Sequence, residues 1–397
     1  MPALQIYDPR ERALVAAGDL LLSASAAVAR PFRRRTKPRS PTRILLLRLE
    51  RIGDLLMALP GIAAVRALAP AARIDLVVGS WNAELARAIT AVDNVLTLDA
   101  QWLARDGGGL GLSGLLKAAT AWRREPYDLA INFEPDVRSN LLIAAAGARW
   151  TVGYRSAGGG PLLDEALEYD PATHTSDNST RLVQTVFGTA IPAMREPLLT
   201  IAEEHRHRAR ARLGSAGHPI VAMHVSGGRP VKQWDPARFA DVARRLVAGR
   251  RAAILLTGST ADRPLVEELA RALPAGSAIV DASGDESLLT LAALLGEADL
   301  LVTGDTGPMH LAAAVGTPIV AVFGPSDPRR YAPRGARDQV VRVDLPCAPC
   351  NRIRLPPARC TGRVPDCLAL VSADRVFDAA VGILDQCAPG VARNAPA

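Results

Sequence analysis

The sequence predicts an α/β protein made of two Rossmann-like, doubly wound domains, and three observations support this fold class. The chain has 397 residues, enough for two or three domains. It is 49% hydrophobic but only 4% aromatic, which is typical of alternating helices and buried parallel strands. Two runs of alternating strands and helices flank a proline-containing connection at 189–197. The predicted divisions are an N-terminal segment at 1–40, a first domain at 41–195 and a second domain at 196–397.

The N-terminal segment combines an apolar stretch with a basic run. Residues 13–29 are apolar but interrupted by Asp19, so they fall short of the roughly 18 uncharged residues that a membrane span needs. The mixed charges at 8–12 argue against a signal peptide. The basic residues that follow are Arg30, Arg33, Arg34, Arg35, Lys37 and Arg39. This pattern predicts a helix lying on an anionic membrane surface; a solvated tail leading into the first domain is the alternative.

The charge of the whole chain restricts its partners. The net charge is +7, with arginines scattered along most of the sequence. Scattered arginines without interleaved aromatic residues are a poor signature of nucleic-acid binding, so no nucleic-acid partner is expected. A basic balance suits anionic small substrates or an anionic membrane surface.

The first domain opens with an apolar run at 44–47 that predicts a buried strand, followed by Arg51, Ile52, Gly53 and Asp54 at the start of a helix. Asp54 has two interpretations. An aspartate in the first turn caps a helix and complements its dipole. The same position keeps a carboxylate ionised and able to accept a proton from a hydroxyl group. Later in this domain, glycine triplets at 107–109 and 158–160 predict flexible surface loops.

Two polar loops in the second domain follow predicted strands. Ser226 and Gly227 begin a small loop whose N–H groups suit a phosphate, and Lys232 would add a positive charge there. Asp262 lies after the next predicted strand, where it suits a ribose hydroxyl. Capping of the following helix is an equally good interpretation of Asp262.

Residues 300–328 predict a strand, a turn, a short helix and another strand. Thr306 is a favourable N-cap, Gly307 allows close approach of the backbone, and the exposed helix N-terminus suits a phosphate. Asp305 would accept hydrogen bonds from sugar hydroxyls, and His310 could donate to a phosphate oxygen. The alternative is that Asp305 and Thr306 only cap the helix and that His310 is a core residue.

Four of the five cysteines cluster near the C-terminus, at Cys347, Cys350, Cys360 and Cys367. The opening C-x-x-C suits thiolate ligation of a structural zinc ion. Reduced free thiols are the alternative, because the later spacings are irregular.

Two segments carry a resemblance to a known family. The sequence GDTGPMHLAAAVGTPIVAVFGPSDP at 304–328 closely resembles the C-terminal signature of glycosyltransferase family 9, the heptosyltransferase family. The segment from Arg51 to Asp54, followed by LLMALP, resembles its N-terminal motif, and the loop around Lys232 resembles its H-x-G-[ST]-x(4)-K-x-W-P segment. His174 occupies a place where members often have a histidine.

The resemblance implies site roles and the GT-B architecture, in which two Rossmann-like domains face each other across a cleft. It implies Asp54 as the general base, and Arg51 and His174 as acceptor-binding residues; helix entry is an equally good role for His174. The implied donor-binding residues are Ser226, Gly227, Lys232, Asp262, Asp305, Thr306, Gly307 and His310.

The function that follows is an inverting glycosyltransferase that moves a sugar from a nucleotide-diphosphate donor, with ADP-heptose as the expected donor, to a lipid-linked or lipopolysaccharide glycan. No Asp-x-Asp pair occurs in the sequence, so transfer is expected to need no metal or other cofactor. The resemblance places the protein in the cytoplasm, peripheral on the inner face of the cytoplasmic membrane. The alternatives are a GT-B-like nucleotide-sugar epimerase and a non-catalytic nucleotide-sugar-binding protein. The sequence leaves the oligomeric state open.

Overall fold

The computed structural model describes residues 4–6, 8–29, 36–104, 107–192, 198–284 and 287–386. The chain divides into two compact domains, Met1–Thr200 and Ile201–Ala397. The sequence places this boundary at 195, inside a stretch that lies outside the described residues. The basic residues at 30–35 also lie outside them.

The first domain contains a parallel six-stranded sheet and its connecting helices. The described helices are α1 (Pro9–Ala29), α2 (Ile52–Leu68), α3 (Ala83–Arg87), α4 (Leu112–Ala121), α5 (Val137–Ala145) and α6 (Thr175–Phe187). The strands are β1 (Arg43–Leu47), β2 (Arg73–Val78), β3 (Asn94–Thr97), β4 (Leu129–Asn132), β5 (Trp150–Tyr154) and β6 (Glu165–Leu167). Their order is β3-β2-β1-β4-β5-β6, the order of a Rossmann sheet.

The strand order reverses between β1 and β4, which makes that point the switch point of the first sheet. β1 pairs in parallel with both β2 and β4, and Leu47 at its end lies opposite Asn132. The four residues after Arg43 in β1 are buried, as expected of a central strand covered by helices on both faces. The residues that follow β1 and β4 therefore meet at one edge of the sheet.

The N-terminal segment packs on the first domain. The backbone N–H of Gln5 donates to the Ser156 carbonyl at 2.7 Å, and Asp19 accepts the N–H of Gly159 at the same distance. A side chain at Gly158 (φ +96°) would come within 2.2 Å of Val15, so only glycine lets α1 approach this closely. The prediction of a surface loop at 158–160 is wrong, because α1 buries this triplet. The triplet at 107–109 is exposed as predicted.

The second domain repeats the same architecture. Its described helices are α7 (Glu203–Leu213), α8 (Pro236–Arg250), α9 (Arg263–Ala272), α10 (Leu288–Glu297), α11 (Gly307–Val315), α12 (Pro328–Tyr331), α13 (Asp366–Ala369) and α14 (Ala373–Gln386). The strands are β7 (Ile220–His224), β8 (Ala253–Ser259), β9 (Ile279–Gly284), β10 (Leu300–Gly304), β11 (Ile319–Val322) and β12 (Gln339–Val341). The parallel order β12-β11-β10-β7-β8-β9 places the switch point between β10 and β7.

The core of the second domain fixes the loop after β7. Trp234 is 1% exposed, packs edge-to-face on Phe239 at 4.7 Å, and donates from Nε1 to the Val371 carbonyl at 3.2 Å.

The two parallel sheets with interleaved helices confirm the predicted α/β class and the two Rossmann-like domains. None of the described helices is long and apolar enough to cross a membrane.

Candidate active site

Asp54 lies in the first turn of α2, directly beyond the carboxyl end of β1. Its Oδ2 accepts the backbone N–H of Arg51, the N-cap residue, at 3.2 Å. Asp54 therefore does cap the start of α2, as the first interpretation states. The side chain is still 31% exposed, so a second partner can reach the carboxylate. Capping and proton acceptance are compatible roles for this residue.

Arg48 connects the two strand ends at the switch point of the first sheet. Its Nη1 donates to the Phe133 carbonyl at 2.5 Å, and its Nε donates to the Asp54 carbonyl at 3.2 Å. The same guanidinium lies 3.1 Å from Oε2 of Glu50 and 3.5 Å from Oδ1 of Asp54. The Arg48 side chain is only 4% exposed. One buried cation is therefore shared by two carboxylates.

Glu134 fixes the backbone of this loop from the neighbouring strand. It is 2% exposed, and its carboxylate accepts the N–H groups of Leu49 and Glu50 and the hydroxyl of Ser139 on α5. Burial raises the pKa of Glu134, although Arg48 opposes the shift. Burial also raises the pKa of Glu50 to about 8, again against the effect of Arg48.

A cavity of about 430 Å³ opens beside this loop. It is lined by Arg51, Ser80, Trp81, Asp99, Ala104, Gly108 and Gly109. Trp81 donates from Nε1 to the Glu50 carbonyl at 3.0 Å, and the Arg51 guanidinium lies 5.6 Å from the centre of the Trp81 ring. An aromatic face, a cation and a carboxylate are groups that bind sugars carrying an anionic substituent.

His174 is the N-cap of α6. Its Nδ1 accepts the N–H of Ser176 at 3.2 Å, and the residue is buried. The helix-entry interpretation is therefore correct as geometry, and His174 does not line the cavity around Trp81.

Lys232 and Asp305 meet at the switch point of the second sheet. Thr303 near the end of β10 lies opposite His224 of β7, so the loops after these strands are neighbours. Lys232 Nζ lies 2.8 Å from Oδ2 of Asp305, and both side chains are largely buried. Burial raises the pKa of Asp305, but Lys232, His310 and the Ser326 hydroxyl together lower it below its usual value. The sequence predicted both residues but not their ion pair.

The predicted helix after Asp305 is present as α11, and it ends at Gly316 in the left-handed region (φ +81°). Thr306 is its N-cap residue, although its side chain forms no capping hydrogen bond and lies 3.1 Å from the Thr303 hydroxyl. Gly307 begins the helix, and His310 is buried one turn later, close enough to lower the pKa of Asp305. The structure thus brings Asp305, Thr306, Gly307 and His310 together.

The glycine loop after β7 has a different local structure from the predicted phosphate cradle. The Gly227 N–H donates to the Gln233 side chain at 2.7 Å, and the Gly228 N–H donates to the Ser226 hydroxyl at 3.2 Å. A side chain at Gly227 would come within 2.6 Å of the Gln233 backbone. Close chain approach therefore explains this glycine. Donation to a phosphate requires these bonds to break.

Asp262 caps its own turn. Its Oδ2 accepts the N–H of Ser259 at 2.8 Å and the Ser259 hydroxyl at 2.6 Å. Burial raises the pKa of Asp262, but these bonds, a bond from Ser226 and the nearby His224 lower it overall. The bond from Ser226 links Asp262 to the loop after β7. The capping interpretation is correct as geometry, and a ribose contact stays a prediction.

The four cysteines line one small cavity of about 20 Å³. Burial and, to a smaller extent, the three neighbouring cysteines raise the pKa of Cys367 to about 11. Thiol chemistry suits zinc. As they stand, however, the described residues include no group of three or more metal-binding side chains arranged to hold an ion. Zinc binding would require the sulfurs to move closer together.

Several residues at the two sites could not be assigned from the sequence. The clearest are Arg48, Glu50, Glu134 and Ser139 in the first domain and Ser326 in the second. Glu134 follows the buried residues 129–133, and a charged residue directly after a buried strand is the signal that points to the switch point. Their mutual contacts depend on the strand order, which cannot be read directly from the sequence.

Comparison with known families gives one match. The model of glycosyltransferase family 9 (heptosyltransferase) matches residues 115–356. This range includes the loop around Lys232 and the whole segment from Asp305 to His310. No curated protein matches the sequence.

Solved structures with the same fold include a glycosyl transferase family 9 protein from Veillonella parvula, 24% identical, with a TM-score of 0.73 over 87% of this chain and 98% of the other. The ADP-heptose lipopolysaccharide heptosyltransferase II of E. coli is 22% identical, with a TM-score of 0.70 over 87% and 99%. The E. coli heptosyltransferase WaaC with ADP is 20% identical, with a TM-score of 0.58 over 76% and 91%. These likenesses extend over nearly the full length of the other chains.

Proposed function

Because the chain belongs to glycosyltransferase family 9, we propose that it is a glycosyltransferase that moves heptose from ADP-heptose to a lipid-linked or lipopolysaccharide glycan with inversion at the anomeric carbon. One observation carries the proposal. Each Rossmann-like domain has its family-motif residues at the switch point of its own sheet, Asp54 in the first and the Lys232–Asp305 pair in the second. The E. coli relatives support the choice of donor, since one is an ADP-heptose heptosyltransferase and the other binds ADP.

The proposed reaction uses Asp54 as general base. Its carboxylate takes the proton of an acceptor hydroxyl while that oxygen forms a bond to the anomeric carbon. The bond from this carbon to the diphosphate breaks on the opposite face, so the configuration inverts. The leaving ADP carries the bonding electron pair away.

The second domain supplies positive charge for the leaving diphosphate. Lys232 is the cation, and the N-terminus of α11 adds its backbone N–H groups and its dipole. Asp305 would accept hydrogen bonds from donor hydroxyls while it holds the Lys232 ammonium in place. Since these groups can neutralise the diphosphate and the sequence has no Asp-x-Asp pair, we propose transfer without a metal ion.

The cavity beside Asp54 suits the acceptor. Arg51, a predicted acceptor-binding residue, lines it and also caps the helix that carries Asp54. A sugar ring can stack on Trp81 while Asp99 accepts from its hydroxyls. We therefore propose this cavity as the acceptor-binding site.

We also propose that α1 docks on an anionic membrane surface, where a lipid-linked acceptor lies. Its exposed side is an apolar stripe at helical spacing, formed by Ala13, Leu14, Ala17, Leu20, Leu21 and Ala24. The three leucines are 75%, 58% and 74% exposed. Arg10 and Arg12 lie at the start of the helix beside the equally exposed Asp8 and Glu11, and the basic run at 30–39 follows the helix in the sequence. A partly embedded apolar stripe next to basic residues is a common mode of binding to anionic lipid.

The test is transfer of radiolabel from ADP-heptose to a lipid-linked glycan. We expect label in the lipid fraction, and we expect Asp54→Asn to lower turnover at least about a hundredfold, the scale of losing a general base. Donor affinity and melting temperature should stay close to wild type, because asparagine can still cap a helix. Asp374→Asn, another first-turn helical aspartate, is the matched control and should transfer normally.

Three results would contradict the proposal. An Asp54→Asn variant that transfers sugar at close to the normal rate removes the general-base assignment. Conversion of the nucleotide sugar without any acceptor would indicate an epimerase, and donor binding without turnover would indicate a non-catalytic protein.

A further inference from the structure

The loop after β1 contains more charge than a helix cap needs. Arg48, Glu50 and Asp54 lie within seven residues, and Glu134 reaches them from the end of β4. Three carboxyl groups therefore surround one guanidinium. Buried charges of this kind are costly unless each has partners, so their arrangement is informative.

Each carboxyl group in this cluster has a different set of partners. Glu134 is satisfied by two backbone N–H groups and the Ser139 hydroxyl. Glu50 lies 3.1 Å from the Arg48 guanidinium, and burial raises its pKa to about 8. The Asp54 carboxylate lies 3.5 Å from the same guanidinium, and the Asp54 carbonyl accepts from Arg48 Nε. Arg48 thus contacts Asp54 through both its side chain and its backbone.

Arg48 is itself held rigidly. The Phe133 and Asp54 carbonyls accept from two of its nitrogens, which fixes the plane of the guanidinium. Glu50, Asp54 and Glu134 raise the pKa of Arg48 despite its burial, so it stays charged. The other titratable or charged groups around the cluster are Asp136, Arg138 and Tyr169.

We propose that Arg48 is a positioning residue for Asp54: it fixes the orientation of the carboxylate through contacts with both the side chain and the backbone carbonyl of Asp54, and it does not touch the substrate. This proposal rests on the proposed function of Asp54 as general base. The planar guanidinium can hold the Asp54 carboxylate and the Asp54 carbonyl at the same time, which an ammonium cannot do with the same geometry.

The experiment compares Arg48→Gln with Arg48→Lys in the full chain. Arg48→Gln removes both the positive charge and the planar guanidinium, so kcat should fall about a hundredfold, as for a misplaced catalytic group. The KM for ADP-heptose should stay close to wild type, because Arg48 is proposed to act on Asp54 and not to touch the donor. Arg48→Lys restores the positive charge without the planar guanidinium. It should recover part of the lost kcat and leave it about tenfold low.

Arg66 provides the matched control. It is also an arginine of the first domain that binds backbone carbonyls and a carboxylate, those of Pro70, Ala72, Ala91 and Asp93, but it lies at the far end of α2. Arg66→Gln should change the melting temperature without lowering kcat at temperatures where the variant is folded. An additional comparison uses Asp54→Asn: if Arg48 acts through Asp54, Arg48→Gln should not lower the residual turnover of that variant further.

Three results would overturn the proposal. The first is a wild-type kcat in Arg48→Gln. The second is a loss of kcat that follows melting temperature alone, as in Arg66→Gln. The third applies if Arg48→Gln does not fold: a normal kcat in Arg48→Lys would then overturn the proposal. An active Asp54→Asn variant would refute the general base instead, so the two failures are distinguishable.

Discussion

Lys232 already forms an ion pair with a carboxylate before any donor binds. Its ammonium lies 2.8 Å from Asp305, and Ser326 and His310 also contact or influence that carboxylate. A diphosphate that arrives here meets an ion pair rather than a free lysine. Donor affinity therefore depends on which of the two residues contacts the diphosphate and which contacts the sugar.

This arrangement predicts different effects for the two partners. Lys232→Met should weaken ADP and ADP-heptose alike, by about tenfold or more, the value of a hydrogen bond to a charged group. Asp305→Asn should weaken ADP-heptose more than ADP, because only the former carries the sugar hydroxyls. Isothermal titration calorimetry measures both affinities, with Lys117→Met, on the exposed side of α4, as control. Equal weakening of both ligands by Asp305→Asn would mean that Asp305 only positions Lys232.

At the scale of elements, α1 has one side that belongs to the fold and one that does not. Val15 and Asp19 contact the buried glycine triplet at 158–160, whereas the stripe from Ala13 to Ala24 is exposed. Deleting everything before Arg39 would uncover the triplet as well as remove the stripe. Point substitutions on the exposed side therefore separate the two roles.

We predict that Leu14→Gln combined with Leu21→Gln weakens binding to vesicles containing anionic lipid by about tenfold or more, since each leucine contributes on the order of 1.5–3 kcal/mol when buried. Transfer to a soluble acceptor should be unchanged. Vesicle sedimentation measures binding, and Leu355→Gln, an exposed leucine of the second domain, is the control. Equal sedimentation of the double variant and the wild type would refute docking through this stripe.

The cysteine segment is a second element with an open role. The Cys350 N–H donates to the Pro325 carbonyl at 3.0 Å, so the segment packs on the loop that carries Ser326. If zinc joins the four thiolates, purified protein never exposed to chelator should contain about one zinc ion per chain, and Cys350→Ser should lower its melting temperature. Metal analysis that finds none would leave four reduced thiols in a shared cavity.

At the scale of the whole molecule, two sheets with the same strand order place two sites by the same rule. In each, the first strand of the domain lies in the centre, and the order reverses beside it. Loops leaving the two central strands diverge to opposite faces, which opens a crevice at the sheet edge. Arg48 to Asp54 and Glu134 meet at one crevice, and Lys232 and Asp305 at the other.

The sequence by itself determined the α/β class, the two-domain organisation and the family. These follow from local signals: apolar runs, helix caps, glycine stops and motifs whose residues are neighbours in the chain. α11 is an example, since Thr306, Gly307, Pro308 and Gly316 define its start and end without help from the rest of the fold. Asp54, Lys232, Asp305 and His310 were predicted for the same reason.

Only the tertiary structure decided which of these residues face each other. Arg48 and Glu134 are 86 positions apart in the sequence. They belong to one cluster because β1 pairs with β4 rather than with β3. The burial that raises the pKa of Glu50, the Lys232–Asp305 pair and the covered glycines at 158–160 likewise arise from packing between distant segments. Local pattern specifies each element, but strand order and burial set the partners and the charge of each side chain.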